Sequence, residues 1–296
     1  MKLNQLRDLV AIVERGSLRG AARHLEVAQS GLTRSIRDLE RELGSPLFER
    51  DVRGMVLTPM GRLFYQRASS AVNELRRGRE EMEQAQGGTQ GTVVAGLSIM
   101  PHLGMLPAAL RHFRQRFPGV VLKVIVGLYP AIEPGLRNGT IDFYVGAVSQ
   151  AEPAPGLVSE VLLQNTRIVV GRTGHPLASA KSLKELTSAE WATPSLDVNA
   201  AEDLTAVFAR FKLPPPSIKL QAHSAMSVLV ALGSTDLLAM LPRQWADFSM
   251  GQKTLGVITV RERLVAPDIV FVRRADLPLT PAAEHLSDLL RRYADA

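Results

Sequence analysis

Leu32, Ile36, Leu39 and Leu43 recur at spacings of 4, 3 and 4 and stop at Gly44. At about 100° per residue they share one stripe, so residues 28–43 should form an amphipathic helix with that face committed to a core. The same wheel puts Ser30, Arg34, Arg37 and Arg41 opposite the core, with Gln29 and Thr33 on the flank. Two shorter helices precede it. Leu3, Leu6, Val10 and Val13 make the first stripe; Gly16 breaks it, and Ser17 is a fitting N-cap for a second helix carrying Leu18, Ala21, Ala22 and Leu25. The last helix of a short three-helix unit thus carries an amide, two hydroxyls and arginines near its N-terminal half, the part a recognition helix places in the major groove. Gln and Arg can make bidentate contacts to adenine and guanine edges, while Ser and Thr suit phosphates or bases. A solvated basic face is the plain alternative, and for Arg41, beside Asp38, Glu40 and Glu42, it is the better reading.

After Gly44, two short extended runs, Pro46–Arg50 and Met55–Leu57, flank a Gly-containing turn at Asp51-Val52-Arg53-Gly54 and read as a β-hairpin. Beside a recognition helix such a hairpin is a wing, which would carry Arg50 and Arg53 to the phosphate backbone or the adjacent minor groove. Charge is distributed accordingly. The chain has 35 basic and 29 acidic residues; residues 1–79 hold 15 and 9 of them, a net of +6, and Glu80, Glu81 and Glu83 follow at once.

The stretch Ser17–Leu25, with Gln29–Ile36, Leu39-Glu40, Leu43-Gly44, Pro46–Arg50 and Leu57-Thr58-Pro59-Met60-Gly61, closely resembles the LysR-type transcriptional regulator family. The match is dense over about the first 65 residues. It implies a winged helix-turn-helix at residues 1–58 that binds double-stranded DNA at two-fold-related promoter sites. DNA contacts carry over to Gln29, Ser30, Thr33 and Arg34, and wing contacts to Arg50 and Arg53. One departure is Gly31, where alanine or another helix former is more usual; glycine costs about 1 kcal/mol of helix propensity there. His24 reads as a surface residue of the second helix.

Thr58 as N-cap and Pro59 at the first helical position open a long helix. Along it Phe64, Ala68, Ala71, Leu75, Gly78 and Met82 keep a 4, 3, 4, 3, 4 spacing, the rhythm of a two-stranded seam, so self-association is expected. Packing on its own domain is the alternative, since Ala and Gly make the seam thin. The resemblance implies a dimerisation helix and a full assembly that is usually a tetramer, so self-association to a dimer or tetramer is expected. The polar, Gly-rich run Gln84–Gly91 reads as a hinge, so residues 59–91 form the linker.

From residue 92 onward, short apolar runs alternate with helical ones: Val93–Leu97, a helix across Leu103–Phe117, Val120–Val126, a helical run Ile132–Arg137, then Ile141–Val145. This β-α-β-α-β order signals a mostly parallel sheet covered by helices. Further strands are expected near 157–162, 168–171, 218–222 and 237–240, helices near 201–211 and 224–232, and a return through 268–273 and 281–293. The overall class is α/β. Two lobes, about 92–161 with 267–296 and about 162–266, resemble a periplasmic-binding-protein-like effector domain. In open sheets ligands sit beyond the carboxyl ends of strands. That rule nominates Ser98, Ile99, Met100, Tyr129 and Ala147 from the first lobe, and Thr193, Ser195, His223 and Ser224 from the second, although Ser224 is also an obvious N-cap. The expected effector is a small organic anion, with an aromatic one as an option, held by N–H groups near Ser98 and Ser195, with Met100 and Tyr129 against its apolar part. Its binding would rearrange lobes or dimers and so alter DNA bending and RNA polymerase access.

Other classes fit less well. Hydrophobic residues make up 46% and charged residues 22%, enough for real cores, and no apolar run approaches a membrane span. Charge precedes any apolar stretch at the N-terminus, so neither export nor membrane insertion is expected and the cytoplasm is the expected location. Zero cysteines remove disulfides, thiolate metal sites and cysteine nucleophiles. Phosphate-loop, nucleophile-elbow, His-Glu-x-x-His and Gly-x-Gly-x-x-Gly patterns do not occur, and the six histidines have no ligand spacing. An enzyme, a metal or a cofactor is therefore not expected. A ligand-binding protein without DNA function would leave residues 1–58 unexplained.

Overall fold

The computed structural model describes residues 1–51, 54–148, 154–194, 200–222, 224–244 and 254–294. The chain falls into two compact units, Met1–Gln90 with Pro134–Ile141, and Gly91–Glu133 with Asp142–Ala296.

The first unit opens with α1 (Leu3–Arg15), α2 (Leu18–Leu25) and α3 (Gln29–Leu43). Gly16 and Gly44 end α1 and α3 in the left-handed conformation that glycine adopts without strain. Ser17 caps α2 by accepting from the Gly20 N–H. Leu9, Ile12, Ala21, Leu32, Leu39 and Leu47 form its buried centre. The hairpin β1 (Phe48–Asp51) and β2 (Gly54–Leu57) is antiparallel, with Phe48 opposite Leu57. Its entry is fastened by Glu40 of α3, whose Oε1 accepts from the N–H of Leu47 (2.7 Å) and Phe48 (3.3 Å). Thr58 then caps α4 (Pro59–Ala85), accepting from Gly61 N (2.9 Å) and donating to Pro46 O (2.8 Å). Gly61 packs so closely on the Leu47 backbone that a Cβ would sit 2.0 Å from its carbonyl oxygen.

The seam expected along α4 is divided. Phe64 and Ala68 pack on the core of the three helices, whereas Leu75 and Met82 remain 57% and 66% exposed. Further along, buried Arg77 donates to the carbonyls of Gly139 (2.9 Å) and Ile141 (3.3 Å) within the same unit. The expected hinge is mostly a helix cap. Gly87 has positive φ, Gly87 and Gly88 donate back to Gln84 and Glu83, and Gln84 holds the Gln90 carbonyl. A strand begins at Gln90, inside the run read as hinge.

The second unit has two lobes. The first contains β3 (Gln90–Leu97), α5 (Ile99–Gly104), α6 (Leu106–Arg116), β4 (Gly119–Val126), the start of α7 (Tyr129–Arg137), whose residues from Pro134 on group with the first unit, β5 (Phe143–Ala147) and β6 (Leu157–Leu163). The helix expected across 103–117 breaks at Met105, because Pro107 in the first turn of α6 cannot donate into a preceding turn. The second lobe contains β7 (Arg167–Arg172), β8 (Glu190–Pro194), α8 (Ala200–Arg210), β9 (Ser217–Ala222), α9 (Ala225–Ser234), β10 (Ala239–Pro242) and β11 (Leu255–Ile258). The chain then returns with β12 (Ile269–Arg274) and α10 (Pro281–Arg292).

Lobe 1 is a five-stranded sheet ordered β4-β3-β5-β12-β6. It is mixed rather than mostly parallel: β3 runs parallel to β5, but the returning β12 is antiparallel to both β5 and β6. Phe113, Phe143, Phe271 and Leu286 pack between this sheet and helices α6 and α10. Lobe 2 has an antiparallel β10-β7-β11 sheet and a parallel β8-β9 pair. Trp191 meets Phe208 edge-on at 5.4 Å in its core.

Candidate nucleic-acid interface and ligand cavity

Because Leu32, Ile36 and Leu39 are buried, the opposite side of α3 is free. Ser30, Thr33, Arg34, Arg37, Asp38 and Arg41 line one concave outer patch there. Arg34 is 87% exposed at its side chain, 3.9 Å from Asp38. Asp38 is shared, since Arg41 also pairs with it at 3.0 Å, so the patch keeps a basic excess with Arg41 partly compensated. Gln29 begins the helix and is exposed. Thr33 donates its hydroxyl proton to the Gln29 carbonyl (3.0 Å), so an outside partner would meet its oxygen as an acceptor unless the hydroxyl turns. Arg37 has a second neighbourhood, a groove shared with Glu40, Phe48, Glu49 and Met55 between α3 and the hairpin. Arg50 lies in β1, opposite Met55, and Arg53 lies outside the described residues. Glu40, named from the sequence only as an ion-pair partner for arginines, is instead the anchor that holds the hairpin to α3. Its spacing of seven to the Leu47 N–H could have suggested this only once the chain's turn at Gly44 was known.

In the second unit the two lobes meet around a cavity of about 160 Å³. Lobe 1 supplies Ser98, Ile99, Met100, Leu128 and Ala147; lobe 2 supplies Asn165, Arg167, Thr193, Asp203, Leu204 and Met240. Ser98 follows β3, Ala147 ends β5 and Thr193 lies at the end of β8, the strand ends at which open sheets bind ligands. Ser98, Met100, Ala147 and Thr193 are thus brought together. Tyr129 is not: it is buried with its ring 5.8 Å from Tyr144, and Leu128 lines the cavity in its place. Ser195 and His223 lie outside the described residues, and Ser224 precedes α9 as its N-cap.

The Ser98 N–H is already donated to Val145 O (2.9 Å), and α5 is a short helix of 6 residues. The cation on the wall, Arg167, is paired with Asp203 at 3.1 Å. Sequence reading missed Asn165, Arg167 and Asp203, because their positions depend on how the chain crosses between lobes. Among the described residues no cluster could hold a metal ion, and no helix is long and apolar enough to cross a membrane.

Comparison with known proteins adds to this. Residues 3–62 match the profile of the bacterial regulatory helix-turn-helix proteins of the lysR family, and residues 86–295 match the LysR substrate binding domain. The HTH-type transcriptional regulator GbpR of Rhizobium radiobacter is 27% identical over 85% of this chain and 84% of its own. The HTH-type transcriptional regulator GalR of Pseudomonas putida is 26% identical over 97% and 73%. Among solved structures, CbnR, a LysR family transcriptional regulator, superposes with TM-score 0.71 at 21% identity, covering 99% of both chains. Full-length CbnR complexed with its target DNA gives 0.70 at 21%, covering 99% and 100%. Full-length OxyR from Pseudomonas aeruginosa gives 0.73 at 19%, covering 98% and 95%. With the two profiles covering almost all of it, the chain belongs to the LysR-type family of DNA-binding transcriptional regulators.

Proposed function

We propose that Gln29, Ser30, Thr33 and Arg34 enter the major groove of a promoter site, with Arg50 and Arg53 on the backbone or adjacent minor groove. A small molecule bound between the lobes of the second unit controls that binding. The observation that carries the DNA reading is the free α3 face: polar and basic side chains stand together on the side away from Leu32, Ile36 and Leu39. The DNA-bound neighbour of the same fold supports it.

Two copies joined along α4 would grip half-sites about one DNA turn apart, and two such dimers make a tetramer. Effector binding shifts the arrangement of lobes or dimers, changing DNA bending and RNA polymerase access. The effector must favour one arrangement, because a ligand of equal affinity for both shifts nothing. The molecule works in the cytoplasm, where promoter DNA is.

Selection of bound genomic fragments followed by footprinting tests the reading. The protein should protect an intergenic site over more than one helical turn. Arg34→Ala should lose about 1–3 kcal/mol of affinity for that site, with relaxed preference at one base pair. Full sequence-specific affinity in Arg34→Ala would remove the assignment.

A further inference from the structure

The lobe 2 wall of the cavity holds two polar groups that the protein itself leaves unused. Thr193 Oγ1 and Asn165 Oδ1 are buried without hydrogen-bond partners, in residues only 3% and 6% exposed. Buried polar side chains are nearly always bonded, so two open ones on a cavity wall indicate a ligand that bonds them. An amide and a hydroxyl can between them donate and accept. Beside them stands the Arg167–Asp203 pair, one positive and one negative charge 3.1 Å apart. A bare anion would gain Arg167 but face Asp203, while a bare cation would meet the reverse. The remaining walls, with Ile99, Met100, Leu128, Leu204 and Met240 among them, are apolar.

Resting on the reading of this cavity as the effector site, we propose that its ligand is a small zwitterion with an apolar side chain, an α-amino acid of that class. Its carboxylate is matched by the Arg167 and Thr193 donors, and its ammonium by the Asp203 and Asn165 acceptors. Its side chain lies against Met100, Leu128 and Met240. Size agrees: a cavity of about 150 Å³ accommodates benzene, so the roughly 160 Å³ here limits the ligand, head group included, to a small molecule such as an amino acid with a short apolar side chain.

The test is isothermal titration of the full-length protein with L-valine, L-leucine and L-methionine, each beside the acid that lacks its amino group and the amine that lacks its carboxylate. At least one amino acid should bind 10-fold or more tighter than both of its halves. Asp203→Asn should weaken that amino acid while leaving the desamino acid equal or tighter, and Thr193→Val should weaken both. A desamino acid that binds wild-type protein as tightly as its parent overturns the class in favour of an anion. Absence of binding by every compound overturns it outright. Neither result touches DNA recognition, which the Arg34→Ala footprint decides separately.

Discussion

Gly61 and Gly31 both stand three residues into a helix, yet alanine should have opposite effects at the two. At Gly61 a Cβ would lie 2.0 Å from the Leu47 carbonyl oxygen, a backbone atom that cannot turn aside. Gly61→Ala should therefore force α4 away from the hairpin entry and cost about 1–3 kcal/mol. At Gly31 nothing lies within 4 Å of the added methyl and the backbone is helical. Gly31→Ala should raise stability by about 0.5–1 kcal/mol, through helix propensity and a less flexible unfolded chain. Denaturant midpoints of the two variants check both signs, and a stabilised Gly61→Ala would show that the close approach does not exist. Glu40 gives a third case. Glu40→Ala leaves the Leu47 N–H without an acceptor beside a buried side chain, a loss of about 1–3 kcal/mol, whereas Glu40→Gln keeps an oxygen there and should recover most of it. Equal losses in the two would point to the charge instead. The sequence shows Gly31 as a local propensity defect; the reasons for Gly61 and Glu40 are tertiary, and only the position of Leu47 reveals them.

Elements with strong period and clear punctuation were legible. The stripes of α1, α2 and α3, the glycines at 16 and 44, Ser17, and the Thr58-Pro59 start all specify local structure through contacts within a few residues. What was not legible depended on partners distant in sequence: the antiparallel insertion of β12 between β5 and β6, and the four-residue β11 with its glycine. The cavity followed the same division, since strand ends gave Ser98, Ala147 and Thr193 while Asn165, Arg167 and Asp203 needed the crossing between lobes. In α4 the period was plain but its use was not, because one spacing serves two purposes. Phe64 and Ala68 close the domain core, and Leu75 and Met82 are left outside it. If that outer half joins two copies, Leu75→Glu places a charge in an apolar contact and should convert the oligomer to monomer while the fold persists. Sedimentation of wild type and variant, with circular dichroism to confirm the fold, checks this. An unchanged oligomer would move the contact off α4.

At the scale of the whole molecule, two histidines of the second unit tie stability to pH. Burial lowers the pKa of His102 in α5 below the ordinary 6.5, and its Nδ1 is buried without a partner. His285 in α10 is also lowered, first by burial, then by the charge of Arg116, with smaller opposing help from Asp288 and further lowering from Arg292 and His112. Its ring lies 5.7 Å from that of Phe117. In both cases the unfolded chain takes up protons near pH 6.5 before the native state does. Where the unfolded state binds more protons, stability rises with pH. The contribution is therefore fully present above pH 6.5 and is lost as the pH falls below it toward the lowered native values. Glu185, its pKa lowered first by the hydrogen bond from Ser182, loses its own contribution at lower pH, so a falling melting temperature alone does not isolate the histidines. The comparison that does is the change in melting temperature between pH 7.5 and pH 5.5 for wild type, His102→Gln and His285→Gln. Each variant should show a smaller drop than wild type, because glutamine keeps a polar side chain at the position without a titrating proton. Equal drops in all three would mean that neither ring resists protonation in the native state, and the acid sensitivity would then lie outside these two histidines.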